Sequence, residues 1–196
     1  MPLLAQRAVA SPAVKGTLYI VGGGPQPPAL VREFLDLAAQ SGRSRIVVFG
    51  MASEEGKTGG DQSKLTAALG GSRTATAISS AIVPTQSLEV GFGLIDNAIV
   101  DQHFLRRRRH NRLIRLVLER EPHLGVGIDE STALIVSPDG SWRVAGASVA
   151  VISDARKSAI TTADTPLGAT GMTMHVLPAG SRFDPKTGVA TLPTGR

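Results

Sequence analysis

The chain contains no cysteine, which excludes disulfides, thiol nucleophiles and cysteine-ligated metals. Aromatic side chains make up only 4% of its 196 residues, so stacking platforms for nucleic acid are scarce and a nucleic-acid partner is not expected. No apolar run approaches the roughly 20 residues needed to span a bilayer, and no membrane association is expected. The first 16 residues hold one Arg and one Lys without the continuous apolar core of a signal peptide, so a cytoplasmic protein is expected. His110, His123 and His175 do not fall at metal-ligand spacing, and neither metal nor cofactor is called for. Gly22-Gly23-Gly24 lacks the GxGxxG spacing and runs into prolines, which argues against dinucleotide binding. Internal repeats and low-complexity linkers are also absent.

What is present is a globular composition, 42% hydrophobic and 19% charged, in a length that fits one domain with a real core. The formal net charge of +5 is local: residues 106–120 hold seven Arg and one Glu, a net +6, so the remaining positions sum to −1. Directly before this basic segment, the apolar run Ile99-Val100 leads into Asp101-Gln102-His103. An imidazole beside a carboxylate and an amide suits proton transfer, and clustered arginines suit carboxylate capture. A solvated helix face is the plain alternative for the arginines.

Residues 16–21 read as a buried strand, and Leu30, Val31, Phe34, Leu35 and Ala38 recur at helical spacing after Pro25–Pro28, with Gly42 as a stop. Residues 45–49 form a second apolar run. Strand, glycine turn, helix and strand predict a βαβ unit and a parallel sheet. Residues 65–69 and 74–83 are read as helical, the latter closed by Pro84. Leu113, Leu116 and Val117 give the Arg-rich segment a helical stripe. Residues 124–128 read as a short strand, and residues 132–136 and 142–152 as a hairpin around Pro138-Asp139-Gly140. A late strand and turn follow at 175–180. The expectation is an α/β fold, a mostly parallel sheet flanked by helices with a late antiparallel hairpin, in a single domain over 1–196 with 1–15 as a disordered tail.

Several motifs in this order resemble the cyanophycinase family and its dipeptidase E-like serine peptidase relatives. They are Gly16-Thr-Leu-Tyr-Ile-Val-Gly-Gly-Gly24, Gly59-Gly-Asp-Gln62, Gly93-Leu94, Asp101-Gln-His-Phe104 with Arg107, Arg109 and Arg112, Gly125-Val-Gly-Ile-Asp-Glu130 with Thr132-Ala-Leu134, and His175-Val-Leu-Pro-Ala-Gly180. The resemblance implies a serine nucleophile on a tight turn, which the family writes Gly-Thr-Ser-Ala-Gly-Ala. Gly70-Gly-Ser-Arg-Thr-Ala75 corresponds, with Ser72 at the nucleophile and Arg73 and Thr74 departing from the small residues that a sharp elbow favours. The chain is also shorter than the family pattern between Ala52-Ser53 and Gly59, and again before Gly70.

On this resemblance His103 is the general base and Glu89, between nucleophile and base in the sequence, the orienting acid. Oxyanion donors are expected at the Arg73 N–H and within residues 22–24. Gln62, Asp101, Gln102, Arg107, Arg109 and Arg112 match the family's substrate pocket. The implied substrate is cyanophycin or another β-aspartyl peptide, hydrolysed at a β-aspartyl-arginine bond through an acyl-enzyme, and the implied assembly is a homodimer. Arginines can clamp carboxylates, and Asp101 can pair with a guanidinium. The alternative is a catalytically inactive, shortened relative that binds acidic or arginine-rich peptides.

Overall fold

In a computed structural model of the chain, the described residues are 16–40, 94–120, 122–161 and 166–194, together with the backbone of two short strands at 47–49 and 76–78. Two compact units divide it, Met1–Leu30 with Val90–Arg196, and Val31–Glu89. The expected tail 1–15 and the helical reading at 65–69 lie outside the described residues.

The first unit is built from two sheets. One has the order β1 (Leu18–Val21), β6 (Thr132–Val136), β7 (Trp142–Gly146), β12 (Arg182–Asp184) and β13 (Val189–Thr191), each neighbour antiparallel to the next. The other runs β11 (Thr173–Pro178), β8 (Val149–Asp154), β5 (Leu124–Ile128) and β4 (Ile99–Gln102). Two short strands, β9 (Ala159–Ile160) and β10 (Ala169–Thr170), pair separately.

Side-chain alternation explains how the layers meet, because successive residues of a strand face opposite sides. Leu124, Val126 and Ile128 of β5 are fully buried with Leu134, Trp142, Val144, Ala150, Ile152 and Phe183 in a core shared by both sheets. The intervening positions of β5 are Gly125 and Gly127. A Cβ on Gly125 would meet Val117 and Leu113, and one on Gly127 would meet the Phe104 ring. The missing side chains therefore let helix α2 (His110–Glu119) and Phe104 lie close against the sheet. Leu113 and Val117, four residues apart on one face of α2, are fully buried there, whereas Arg112, Arg115 and Glu119 face outward. On the other sheet, Leu30 packs with Ala133, Ile135 and Ala145.

Helix α1 (Pro28–Gln40) starts with proline at its first position, where no amide donor is needed. It begins within the first unit and continues into the second, where β2 (Val47–Phe49) and β3 (Thr76–Ile78) form a parallel pair.

The α/β class and the hairpin β6–β7 agree with expectation. The balance of strand directions differs: among the described residues parallel pairing is confined to β4–β5 and β2–β3. Strands joined by tight turns must run antiparallel, whereas β4 and β5 are joined through α2, a crossover long enough for parallel pairing. The first strand pairs antiparallel with β6 in the register Leu18↔Val136 to Val21↔Ala133. The apolar text at 142–152 is two strands, because Gly146 at φ 116° turns the chain out of one sheet and into the other. Thr76–Ile78 form a strand where a helix was read; Thr and Ile are β-branched and favour the pleated conformation.

Candidate active site

His103 follows β4 directly, at its carboxyl end. Strands β4 and β5 run parallel in the register Asp101↔Gly127 and Gln102↔Ile128, so the residues after each strand emerge side by side. The imidazole Nδ1 of His103 lies 3.0 Å from Glu130 Oε1, and both side chains are partly exposed, 28% and 29%. With Nδ1 carrying the proton donated to the carboxylate, Nε2 keeps a lone pair and can accept a proton.

The glycine loop after β1 closes over this pair. Gly22 O accepts the His103 N–H at 2.7 Å, Gly22 N–H donates to Thr132 O, and Gly23 O accepts the Ser131 N–H. A Cβ on Gly23 would fall 2.3 Å from the His103 ring, and one on Gly24 2.8 Å from Glu130 Cβ. These glycines, at φ 98° and 70°, thus serve both close approach and a left-handed turn. Gln102 Nε2 donates to Val21 O, fastening β4 to the end of β1.

Beyond His103 the chain makes a turn rather than a helix as far as Arg109, and α2 begins only at His110. Phe104 is buried on Gly127 and its ring lies 4.7 Å from that of His110. Asp129 Oδ1 accepts the N–H groups of Leu105 and Arg106, each at 3.1 Å, and Oδ2 accepts the Ser148 hydroxyl at 2.8 Å. Burial alone raises the Asp129 pKa, but the Ser148 bond and the backbone donors of Arg106, Glu130 and Leu105 outweigh it and hold the carboxyl below its usual range.

The pocket residues expected from the resemblance separate into two groups. Asp101, 2% exposed, pairs with Arg109 Nη1 at 2.8 Å and with Arg112 Nε at 3.4 Å, and Arg109 also donates to Gln102 O. The Asp101 carboxylate is therefore engaged by the chain's own guanidinium groups rather than held open for a substrate's. Arg107 is exposed, and no side-chain partner for it occurs among the described residues. Ser72, Arg73, Glu89 and Gln62 lie outside the described residues. The acid beside His103 in the structure is Glu130. It stood within the quoted Gly125–Glu130 motif without a role, and the signal that finds it is the parallel register of β4 with β5. Among the described residues no cluster of three or more His, Cys, Asp or Glu could hold a metal. A cavity of about 140 Å³ lined in part by Leu18, Leu94, Asp96 and Trp142 lies at the opposite ends of β1 and β4 from His103.

A histidine–carboxylate pair on a glycine loop, at the carboxyl end of a strand in an α/β unit, is proton-transfer hardware of the kind used by hydrolases. The more particular kinship is with cyanophycinases. Over 108 residues the chain is 38% identical to the cyanophycinase of Trichormus variabilis, covering 51% of this chain and 36% of that one. It is 33% identical over 105 residues to the cyanophycinase of Geminocystis herdmanii, covering 51% and 39%. A cyanophycinase of Synechococcus elongatus matches at 34% over 105 residues, 51% and 33% of the two chains. The chain is cyanophycinase-like over about half its own length, and that match spans 33–39% of these relatives. The crystal structure of a peptidase from an acI-B1 Actinobacterium is 16% identical with a TM-score of 0.48, covering 86% of this chain and 96% of that one. No protein-family model matches.

Proposed function

We propose that this protein is a cyanophycinase-like serine hydrolase that cleaves β-aspartyl-arginine bonds. The observation that carries the proposal is the His103–Glu130 pair at 3.0 Å. In this reading Ser72 Oγ attacks the carbonyl joined to the arginine nitrogen while His103 Nε2 takes the hydroxyl proton. The C–N bond breaks, the proton passes to the departing amine, and the aspartyl group remains as an ester on Ser72. Water, deprotonated by the same imidazole, then releases it. Glu130 takes the orienting role expected of Glu89, fixing the Nδ1–H tautomer and stabilising the imidazolium. Because Gly22 N–H is already engaged by Thr132 O, the N–H groups of Gly23 and Gly24 are the donors this loop offers to the oxyanion. Arg107, with Arg109 and Arg112 set by Asp101, makes the recognition surface one for carboxylates, which cyanophycin supplies on the arginine joined to each aspartyl side chain.

The test is to incubate the purified protein with cyanophycin and with β-aspartyl-arginine and to follow products by mass. Release of arginine-containing products that Ser72→Ala abolishes is expected, together with labelling of Ser72 by a serine-directed phosphonate. A protein that neither turns over these substrates nor labels at Ser72 overturns the proposal. A second reading, an inactive relative that binds acidic or arginine-rich peptides, is favoured by β3, since Thr76–Ile78 are strand where a nucleophile elbow continues as helix. Binding of β-aspartyl-arginine without hydrolysis would select it.

A further inference from the structure

We propose that Asp129 is a positioning residue that holds His103 in register with Glu130. The inference rests on the reading of His103 as the base.

The turn after His103 is anchored at three levels. At its start the His103 N–H is bound to Gly22 O, and at its end Arg109 is bound to Asp101. Between them the chain has left β4, and Arg107 N–H returns to His103 O and Arg109 N–H to Phe104 O. The two middle amides, Leu105 and Arg106, both donate to one oxygen of Asp129. The second oxygen is fixed by Ser148, from the bend between β7 and β8. Asp129 N–H is itself bound to Val149 O, so the residue is tied to the strand beside it as well as to the turn.

His103 adopts φ 52°, a left-handed conformation that costs energy for a residue with a Cβ. A strained backbone persists only where its surroundings over-determine it, and Asp129 supplies two of the bonds that do so. Since Glu130 is the next residue, a displacement of the turn from Asp129 is a displacement of His103 from its own carboxylate partner. A carboxylate accepting two amides and a hydroxyl has its rotamer fixed from three sides, which is the support a site needs for sub-ångström placement.

The experiment reads the imidazole without substrate. Two-bond ¹⁵N–¹H spectra of the histidine rings, recorded where the rings are neutral, report which nitrogen carries the proton. In the parent, His103 is expected as the Nδ1–H tautomer, set by Glu130. Asp129→Ala is expected to give a mixture of tautomers, and Asp129→Asn, whose Oδ1 still accepts both amides, to restore the parent pattern. A His103 that keeps a single Nδ1–H tautomer in Asp129→Ala overturns the proposal, as does an Asn variant as mixed as Ala. If the alanine variant does not fold, Ser148→Ala frees one carboxylate oxygen without touching the turn. A partial shift toward the mixture is then expected, and a spectrum identical to the parent overturns the proposal. Hydrolysis of β-aspartyl-arginine by the parent is measured separately, so failure of the catalytic reading leaves the spectral result intact. Where the parent turns over, kcat in Asp129→Ala should fall on the order of 100-fold, the cost of a misplaced catalytic group.

Discussion

Phe104 sits on Gly127 so closely that a methyl group there would fall 2.2 Å from the ring. Phe104 follows His103 in sequence and Gly127 lies three residues before Glu130, so one packing contact sets the distance between the two halves of the candidate site. Gly127→Ala should therefore cost about 1–3 kcal/mol of stability through overpacking and also disturb His103. Urea unfolding measures the first and the imidazole spectrum the second. A fully stable alanine variant with an unchanged spectrum would contradict this account.

Glu130→Gln keeps the shape of the side chain and removes its charge. Turnover of β-aspartyl-arginine should fall by roughly 10²–10⁴-fold, the range for losing the partner that fixes a catalytic histidine. Both side chains are partly exposed, so the melting temperature should hardly change. Comparable loss from Glu89→Gln, with Glu130→Gln near parent activity, would return the orienting role to Glu89.

The arginines separate by what holds them. Removing Arg109 leaves the Asp101 carboxylate buried with only the longer Arg112 contact, and Arg109→Ala should destabilise the fold by about 3 kcal/mol. Arg107→Lys should leave stability alone and raise KM more than it lowers kcat, because lysine keeps the charge but loses the planar fork. Equal effects of the two substitutions on unfolding would show that the distinction is wrong.

Stability should fall in acid for a specific reason. Asp154 is held below the usual carboxylate range, first by its hydrogen bond from Arg156, which outweighs burial, and Asp129 is lowered as well. A carboxyl whose folded pKa is depressed stabilises the native state fully above its unfolded value, about 3.9. That contribution is lost as pH falls through the unfolded value toward the folded one. Urea midpoints should be flat with respect to these groups above about pH 6 and decline below about pH 4. Asp154→Asn should be less stable near neutrality and lose less on acidification; an unchanged slope would remove Asp154 from the explanation.

Gly23→Ala combines a φ of 98° with a Cβ 2.3 Å from the His103 ring. Hydrolysis should be lost even where the variant folds, as circular dichroism can establish. An active Gly23→Ala enzyme would mean that His103 has room to move and that the glycine loop does not fix it.

Local text carried much of the first unit. The alternation Leu124, Gly125, Val126, Gly127, Ile128 shows a strand with large residues on one side, and Leu113 with Val117 shows which face of α2 is buried. The Asp-Gln-His run after Ile99-Val100 located the histidine at a strand end. Local text failed where neighbours decide. Apolar residues 142–152 look like one strand, because nothing in their periodicity reveals that Gly146 sends the chain into another sheet. Short segments such as Thr76–Ile78 satisfy a helix or a strand until a partner strand is present.

The sequence by itself determined which chemical groups are available: a base after β4, a run of arginines, and acids at 129 and 130. Only the tertiary structure decided how they pair. Parallel alignment of β4 with β5 brings position 103 beside 129 and 130 although 27 residues separate His103 from Glu130. The same folding turns Asp101 inward onto Arg109, closing a carboxylate that residue type alone offered to a ligand. Hydrogen-bond register between strands is a long-range property, and a distance of 3.0 Å between two side chains follows from it rather than from their spacing along the chain.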